Sequence, residues 1–367
     1  MKKILLLGLN NTLGGANCII VNLINEIKLI NNNFQFDFLL PPGEVKFKNL
    51  LPLDSIIFEK KGSLFNFFKY MKSIKDILLR NDYDYIWINT SSACDIIPIK
   101  VAKKNKKIKI IAHSHSTEIE SSSFFKLYLL KFLHRLNFSF FNNEVDYKFS
   151  CGEKAADWLF GTQKDVFFVK NGINTDKFKF DSAIRFEMRK NLNLQHNDFV
   201  FVHVGRFTQV KNHNFLIDVF SNLNSNSNNN YKLLLVGSGP LDMEIKEKVN
   251  KLNLADKVLF LGDRNDVNHL LSASDVFLLP SFFEGFPITL IEAQAAGLPC
   301  VISDTISSEV KLTDLVHFCD INCIETWTEK LSNLNIPKDR LIFNCRIKEQ
   351  GYDTAIVAKK LEGFFYE

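Results

Sequence analysis

A chain of 367 residues, 46% hydrophobic and 23% charged, is too long for one ordinary core and too apolar for disorder, so two globular domains are expected. No apolar stretch nears the roughly 20 residues that cross a bilayer, and the seven scattered cysteines (Cys18, Cys94, Cys151, Cys300, Cys319, Cys323, Cys345) exclude a disulfide framework and read as reduced thiols of a cytoplasmic protein. The net charge of +4 is uneven: residues 1–165 carry 23 Lys and Arg against 16 Asp and Glu, the remainder 22 against 25, so the first half suits an anionic partner such as nucleic acid, phosphate or an acidic membrane surface.

In chain order, "KKILLLGL" (2–9) reads as a first strand rather than a signal peptide, because its apolar run is short and no small-residue cleavage site follows. "GANCIIVNLINEIKLI" (15–30) reads as a helix, and strands are expected at 34–40, 83–89, 107–114 and 147–152, with helices at 62–80, 93–105 and 122–141 between them. The second half repeats the plan, with short apolar β-rich runs at 199–206, 231–239, 257–262, 275–281 and 299–304 and a helical pattern at 241–254. "SNLNSNSNNN" (221–230) reads as a polar loop, and 351–367 as an amphipathic helix. Strands alternating with helices imply βαβ units with parallel sheets covered on both faces. The chain is therefore α/β, with two Rossmann-like doubly wound domains facing across a cleft. The expected divisions are 1–170, 171–347 and a C-terminal helix, 348–367, returning to the first domain.

Ligands of such sheets bind at the carboxyl ends of the strands. There "NNTLGGAN" (10–17) places Gly14 and Gly15 at a helix start, where backbone amides can approach a phosphate, although a Gly-Gly pair also suits a plain tight turn. "AHSHSTE" (112–118) places His113 and His115 after a strand, without the third ligand a metal needs. In "VGRFTQVKNH" (204–213), Arg206 and Lys211 can converge on a diphosphate, the former as a planar fork and the latter as a point charge. "VGSGPL" (236–241) and "LGDRNDV" (261–267) are further strand ends, the second able to present backbone groups to a nucleobase. The segment "SFFEGFPITLIEAQAAGLP" (281–299) carries Glu284 in a loop and Glu292 about two turns inside the following helix, which Gly297 closes. That placement suits contacts with two parts of one elongated ligand better than an acid–base pair.

Together these strand ends resemble the family 4 glycosyltransferases, retaining enzymes of the GT-B fold. The resemblance runs from "LGGAN" through "AHSHS", "SCGEKAADWL", "VKNGINTDKF", "VGRFTQVKN", "VGSGPL" and "KVLFLGDRNDV" to "GYDTAIVAKKL", and is most specific at 275–304, where an E-x7-E pattern encloses G-F-P and is trailed by E-A-x-A-x-G-x-P. It implies a nucleotide-sugar donor, UDP-linked, with Glu292 on the ribose hydroxyls and Glu284 beside the sugar. Arg206 and Lys211 would neutralise the diphosphate, aided by the amides of Phe286, Pro287, Ile288, Thr289 and Leu290, and Gly205, Gly237 and Gly285 would belong to the same donor site. Gly262, Asp263 and Arg264 would edge the base, and Gly15 would touch diphosphate or acceptor. His115 best matches the family histidine near the transferred sugar, with His113 the alternative for that role; His113, Gly14 and Asn17 are otherwise placed on the acceptor side. The sequence departs from the family where Asn17 and Cys18 stand in place of Glu-Arg.

The implied chemistry is retaining transfer with no cofactor and no essential metal, in which the departing phosphate serves as the acceptor's base. The implied acceptor is a glycan on a lipid diphosphate, of the kind used in surface-polysaccharide assembly. The aromatic and basic segments 60–80 and 121–141 suit peripheral docking at the inner membrane face, and no nucleic acid is expected. A nucleotide-sugar epimerase and a non-catalytic carbohydrate- or nucleic-acid-binding module are the rival readings; the first does not explain the E-x7-E segment, and against the second the aromatics are mostly Phe within apolar periodic runs.

Overall fold

The computed structural model describes residues 1–12, 14–63, 66–119, 124–226 and 229–366. The chain divides into two compact units, Met1–Gly172 with Thr354–Glu367, and Ile173–Asp353. In chain order the first unit contains β1 (Lys2–Leu7), α1 (Gly15–Ile30), β2 (Phe34–Leu40), β3 (Ile57–Glu59), α2 (Phe67–Arg80), β4 (Tyr85–Thr90), α3 (Ile97–Ala102), β5 (Lys109–Ser114), α4 (Phe124–Glu144), β6 (Tyr147–Ser150), α5 (Glu153–Phe160) and β7 (Val166–Phe168). The second contains α6 (Ser182–Asn191), β8 (Phe199–Val204), α7 (His213–Ser225), β9 (Tyr231–Val236), α8 (Asp242–Lys251), β10 (Val258–Gly262), α9 (Val267–Ala273), β11 (Val276–Leu279), α10 (Ile288–Ala295), β12 (Cys300–Ser303), β13 (Val316–Cys319), α11 (Ile324–Ser332) and α12 (Leu341–Glu349). The last helix, α13 (Thr354–Phe364), belongs to the first unit. The return to that unit begins after Asp353 rather than at 348, because α12 packs on α10 and its Asn344 donates to Thr175 O at 2.7 Å within the second unit.

Both sheets are parallel, ordered β3-β2-β1-β4-β5-β6-β7 and β10-β9-β8-β11-β12-β13. Their strands read as unbroken apolar runs because both faces are covered. In β1, Ile4 and Leu6 enter one core while Leu5 and Leu7 enter the core on the opposite face. Val357, Ala358, Leu361 and Phe365, in and just beyond α13, close the first of these cores, beside Ile20, Ile24 and Ile27 of α1. In the second unit Val200 and Val202 of β8 face one core, Phe201 the other.

Three strands escaped the sequence pattern. Each of β3, β7 and β13 has three or four residues at a sheet edge, too short to show a period. The polar run 221–230 is not all loop: α7 continues through Ser225 because Leu223, 2% exposed, packs in the core. Residues 227–228 of that run lie outside the described residues, as do 64–65 and 120–123 of the segments expected to dock on a membrane. The helix expected at 93–105 shortens to α3. All seven cysteines are free thiols, and among the described residues no helix is long and apolar enough to cross a membrane.

The strand order reverses between β8 and β11 in one unit and between β1 and β4 in the other. Those switch points are where doubly wound sheets open a crevice for ligands.

Candidate active site

At the β8–β11 switch point the strand-end loops form one hydrogen-bonded rim. Gly205 N–H donates to Val236 O at 2.9 Å, Phe207 N–H to Ser238 O at 3.1 Å, and Gly237 N–H to Gly262 O at 2.8 Å. Gly237 takes φ +125, and a Cβ there would lie 2.3 Å from Gly205 O, so only glycine lets these two loops meet. Across the switch point Phe282 N–H donates to Val210 O at 2.9 Å, and Thr305 Oγ1 donates to Ser281 O at 3.1 Å.

On this rim Lys211 Nζ lies 2.5 Å from Glu284 Oε1, with their side chains 21% and 11% exposed. The buried Ser281 hydroxyl donates to the same oxygen at 2.6 Å. Lys211 is therefore not a free cation beside Arg206, as the sequence suggested, but half of an ion pair that spans the switch point. Arg206 is exposed and has no carboxylate partner among the described residues. Behind Lys211 the imidazole of His203 is fully buried, its Nδ1 donating to Leu278 O at 2.8 Å, and burial holds it neutral with a pKa of about 4.

Glu284 and Gly285 lie in the loop, and α10 begins at Ile288 after Pro287. Glu292 thus lies just over one turn inside α10, not two. Five amides were expected to face an anion, from Phe286 to Leu290, but Pro287 has no N–H and Leu290 N–H bonds to Pro287 O at 3.2 Å. Among the described residues no acceptor takes the N–H of Ile288 or Thr289, and these two point the helix dipole's positive end outward. Phe286 stacks on Tyr352 at 5.6 Å with 9° between the rings, which anchors the loop.

The Glu292 carboxyl is half-buried, and that burial raises its pKa to about 7 against the smaller opposing pull of Lys177. The folded chain then holds a proton at pH values where the unfolded chain has lost it. This contributes stability that is fully present below the ordinary value of 4.5 and lost as pH rises through about 7. Glu292→Gln should melt higher than the parent at pH 8, by up to about 3 kcal/mol, and nearly with it at pH 4.5. Thermal melts across that range check this; a pH-independent difference would count against it.

The base-side loop differs from expectation in its charges. Gly262 takes φ +63 with open space around it. Asp263 accepts from Ser238 Oγ at 2.8 Å, and the Arg264 guanidinium is held by Asp266 at 2.6 Å rather than left free.

In the first unit α1 starts at Gly15 with Gly14 as its N-cap, and its first turn has neither an acidic residue nor a capping side chain. Asn17, expected to face an acceptor, is 4% exposed and folds the loop instead, donating to Asn10 O at 2.8 Å and to Thr12 O at 2.5 Å. His113 is likewise corrected. It is fully buried because the β5 alternation turns it inward with Ile111, between Trp87 at 5.8 Å and Phe149 at 5.9 Å. His115 lies beyond the strand end. The Asn89 amide donates to Leu7 O at 3.2 Å, so its Oδ1 accepts at 2.8 Å from Nε2–H of His115. The Nδ1 of His115 is buried without a partner, and burial lowers the pKa to about 4. His115 is therefore a neutral, locked imidazole.

Sequence reasoning missed Ser281, Lys177 and Asn89: Ser281 opens the 281–299 motif and bonds Glu284 only three residues on, whereas Lys177 and Asn89 reach Glu292 and His115 from segments remote in the chain. Among the described residues no group of three or more His, Cys, Asp or Glu is placed to hold a metal ion.

Comparison with known proteins adds four findings. The family model for glycosyl transferases group 1 matches residues 184–332. The chain is 30% identical over 326 residues to the putative glycosyltransferase EpsF of Bacillus subtilis (strain 168), covering 84% of this chain and 81% of that one. It is 28% identical over 289 residues to a Campylobacter jejuni α-1,4-N-acetyl-D-galactosaminyltransferase named for a glycan–PP-undecaprenol substrate, covering 76% and 73% of the two chains. The crystal structure of Anabaena HepE in complex with UDP and glucose superposes with a TM-score of 0.79 at 17% identity, covering 100% of each chain, a likeness that places both in the GT-B fold.

Proposed function

The chain belongs to the group 1 glycosyltransferases, and on that footing we propose that it moves a hexose or N-acetylhexosamine from a UDP-sugar to a lipid-diphosphate-linked glycan in surface-polysaccharide synthesis, with retention of configuration. The observation that carries this reading is the Lys211–Glu284 pair beside the open amides of Ile288 and Thr289 at a switch point. Negative charge develops on the departing diphosphate, and a cation with a helix N-terminus stabilises it there. Arg206, exposed on the same rim, supplies a second positive charge, so the transfer needs no essential metal. EDTA should leave the rate unchanged. The UDP and glucose bound in the HepE structure support the donor, and the undecaprenol-linked substrate of the Campylobacter jejuni relative supports the acceptor.

Glu284, freed from Lys211 by the incoming phosphates, would orient the sugar, and Glu292 would accept from the ribose hydroxyls. Because acceptance needs the ionised carboxylate, UDP affinity should rise as pH passes through about 7, and Glu292→Gln should remove that rise. Calorimetric titration with UDP at pH 6 and pH 8 reads both. The acceptor hydroxyl attacks on the face the diphosphate leaves, handing its proton to the departing phosphate. His115, neutral and fixed by Asn89, acts as a wall of the first unit rather than as a proton carrier.

Work at the inner membrane face is part of this reading, and four apolar residues of α2 are taken up by the core instead. Tyr70, Ile74, Ile77 and Leu78 of α2 are buried in the core, and its outer face carries the basic residues with the exposed Phe67, Phe68 and Leu79. The reading is tested by transfer assays with a panel of UDP- and GDP-sugars and NMR of the product anomer. An inverted product, or no turnover with any UDP-sugar, would overturn it.

A further inference from the structure

Beside α4, in the first unit, lies a cavity of about 660 Å³ that the donor site does not use. Tyr128, Phe132, Phe138 and Trp158 wall it, with Lys131 and Arg135 at the rim. Both cations are exposed and have no ion-pair partner among the described residues. Of the two acids that line it, Glu118 is exposed and Asp157 already accepts from Gln163 Nε2 at 2.9 Å. No acidic residue occurs in α4 before Glu144.

Along the same helix Phe125, Tyr128, Phe132 and Leu136 are 86%, 72%, 57% and 66% exposed. Their spacing of three to four residues makes one apolar stripe open to water. The cavity and the stripe together ask for a ligand with an anionic head and a hydrocarbon chain.

The cavity floor is also joined to the first unit's switch point. Trp158 stacks on His134 at 4.7 Å and 6°, and its Nε1 donates to Ser91 O at 2.7 Å. Ala93 N–H donates to His134 Nδ1 at 3.0 Å. Ser91 and Ala93 are two and four residues beyond Asn89, which holds His115, and Glu118 on the rim is three residues beyond His115. A ligand seated here lies against the loops that end β4 and β5.

We propose that this groove seats the diphosphate and the first isoprenoid units of the lipid that carries the acceptor. Lys131 and Arg135, one helical turn apart, grip the diphosphate; the aromatic walls and the exposed stripe take the chain. The proposal rests on the lipid-linked acceptor put forward above.

Titration of the full chain with farnesyl diphosphate, read by tryptophan fluorescence, tests it. Saturable quenching is expected, lost in Trp158→Phe because Trp87 and Trp327 are fully buried elsewhere. In Lys131→Glu/Arg135→Glu the affinity should fall at least about tenfold, and inorganic diphosphate should bind far more weakly than the farnesyl ester. Quenching that persists in Trp158→Phe, or unchanged affinity in the double variant, overturns the proposal. So does binding to phosphatidylcholine–phosphatidylglycerol vesicles without competition from farnesyl diphosphate, which would make α4 a bilayer contact instead. UDP binding is measured in parallel and should be unchanged in the double variant. Loss of UDP binding in the parent chain would sink the donor assignment while leaving the groove result standing.

Discussion

Lys211→Ala is expected to lower turnover by about 10²–10³-fold, the usual loss when one charge-stabilising donor is removed from a reacting centre. Its ammonium is the partly buried cation of the rim, and the departing diphosphate gains most of its charge only as the sugar bond breaks. Removing it should therefore act on kcat more than on UDP affinity. The fold should survive at some cost, since Glu284 keeps the Ser281 hydroxyl but loses its charge partner while only 11% exposed. Lys211→Ala/Glu284→Gln should then melt above the single variant and remain inactive. That split separates stabilising from catalytic roles. Near-normal kcat in Lys211→Ala, measured with any donor the parent turns over, would end the assignment.

Gly8→Ala is expected to be the most damaging single change in the first unit. Gly8 follows β1 at φ +86, and a Cβ there would lie 1.7 Å from Asn89 O. An alanine meets two penalties, the left-handed backbone and a clash with main chain that has no flexible end to move. Together they should cost more than about 3 kcal/mol, or about 6–12 °C in melting temperature for a domain of this size. The damage should reach the switch point, because Asn89 both receives the clash and holds His115. Hydrogen exchange should rise around β1 and β4, while the UDP binding proposed for the second unit stays near the parent's. A melting temperature within about 2 °C of the parent's would show that β1 and β4 can part without cost.

Most of the architecture could be read in the sequence. Apolar runs such as 4–7 and 233–236 alternate with helical patterns, and a strand buried on both faces has no polar period to confuse it. The elements lost to reading were those too short to show a period: β3, β7 and β13. The motif at 281–299 also sufficed to put Glu284 in a loop and Glu292 in the helix behind it. It was misread in two respects, a turn of helix too many before Glu292 and an N–H counted at Pro287 and left open at Leu290.

The parallel α/β plan and the glycosyltransferase family were legible in the chain alone, because each depends on a period or spacing within a few tens of residues. Which side chains the strand-end loops bring together came from the fold. Lys211 and Glu284 are 73 residues apart in the chain and meet because β8 and β11 are neighbours where the strand order reverses. His113 is buried and His115 held at Asn89 because β4 and β5 pair in register. Asn17 folds its own loop, and the α4 groove has a floor only because Trp158 reaches back to Ser91. Pairing between distant strands is set by the packing of the whole sheet, and no single segment carries that information.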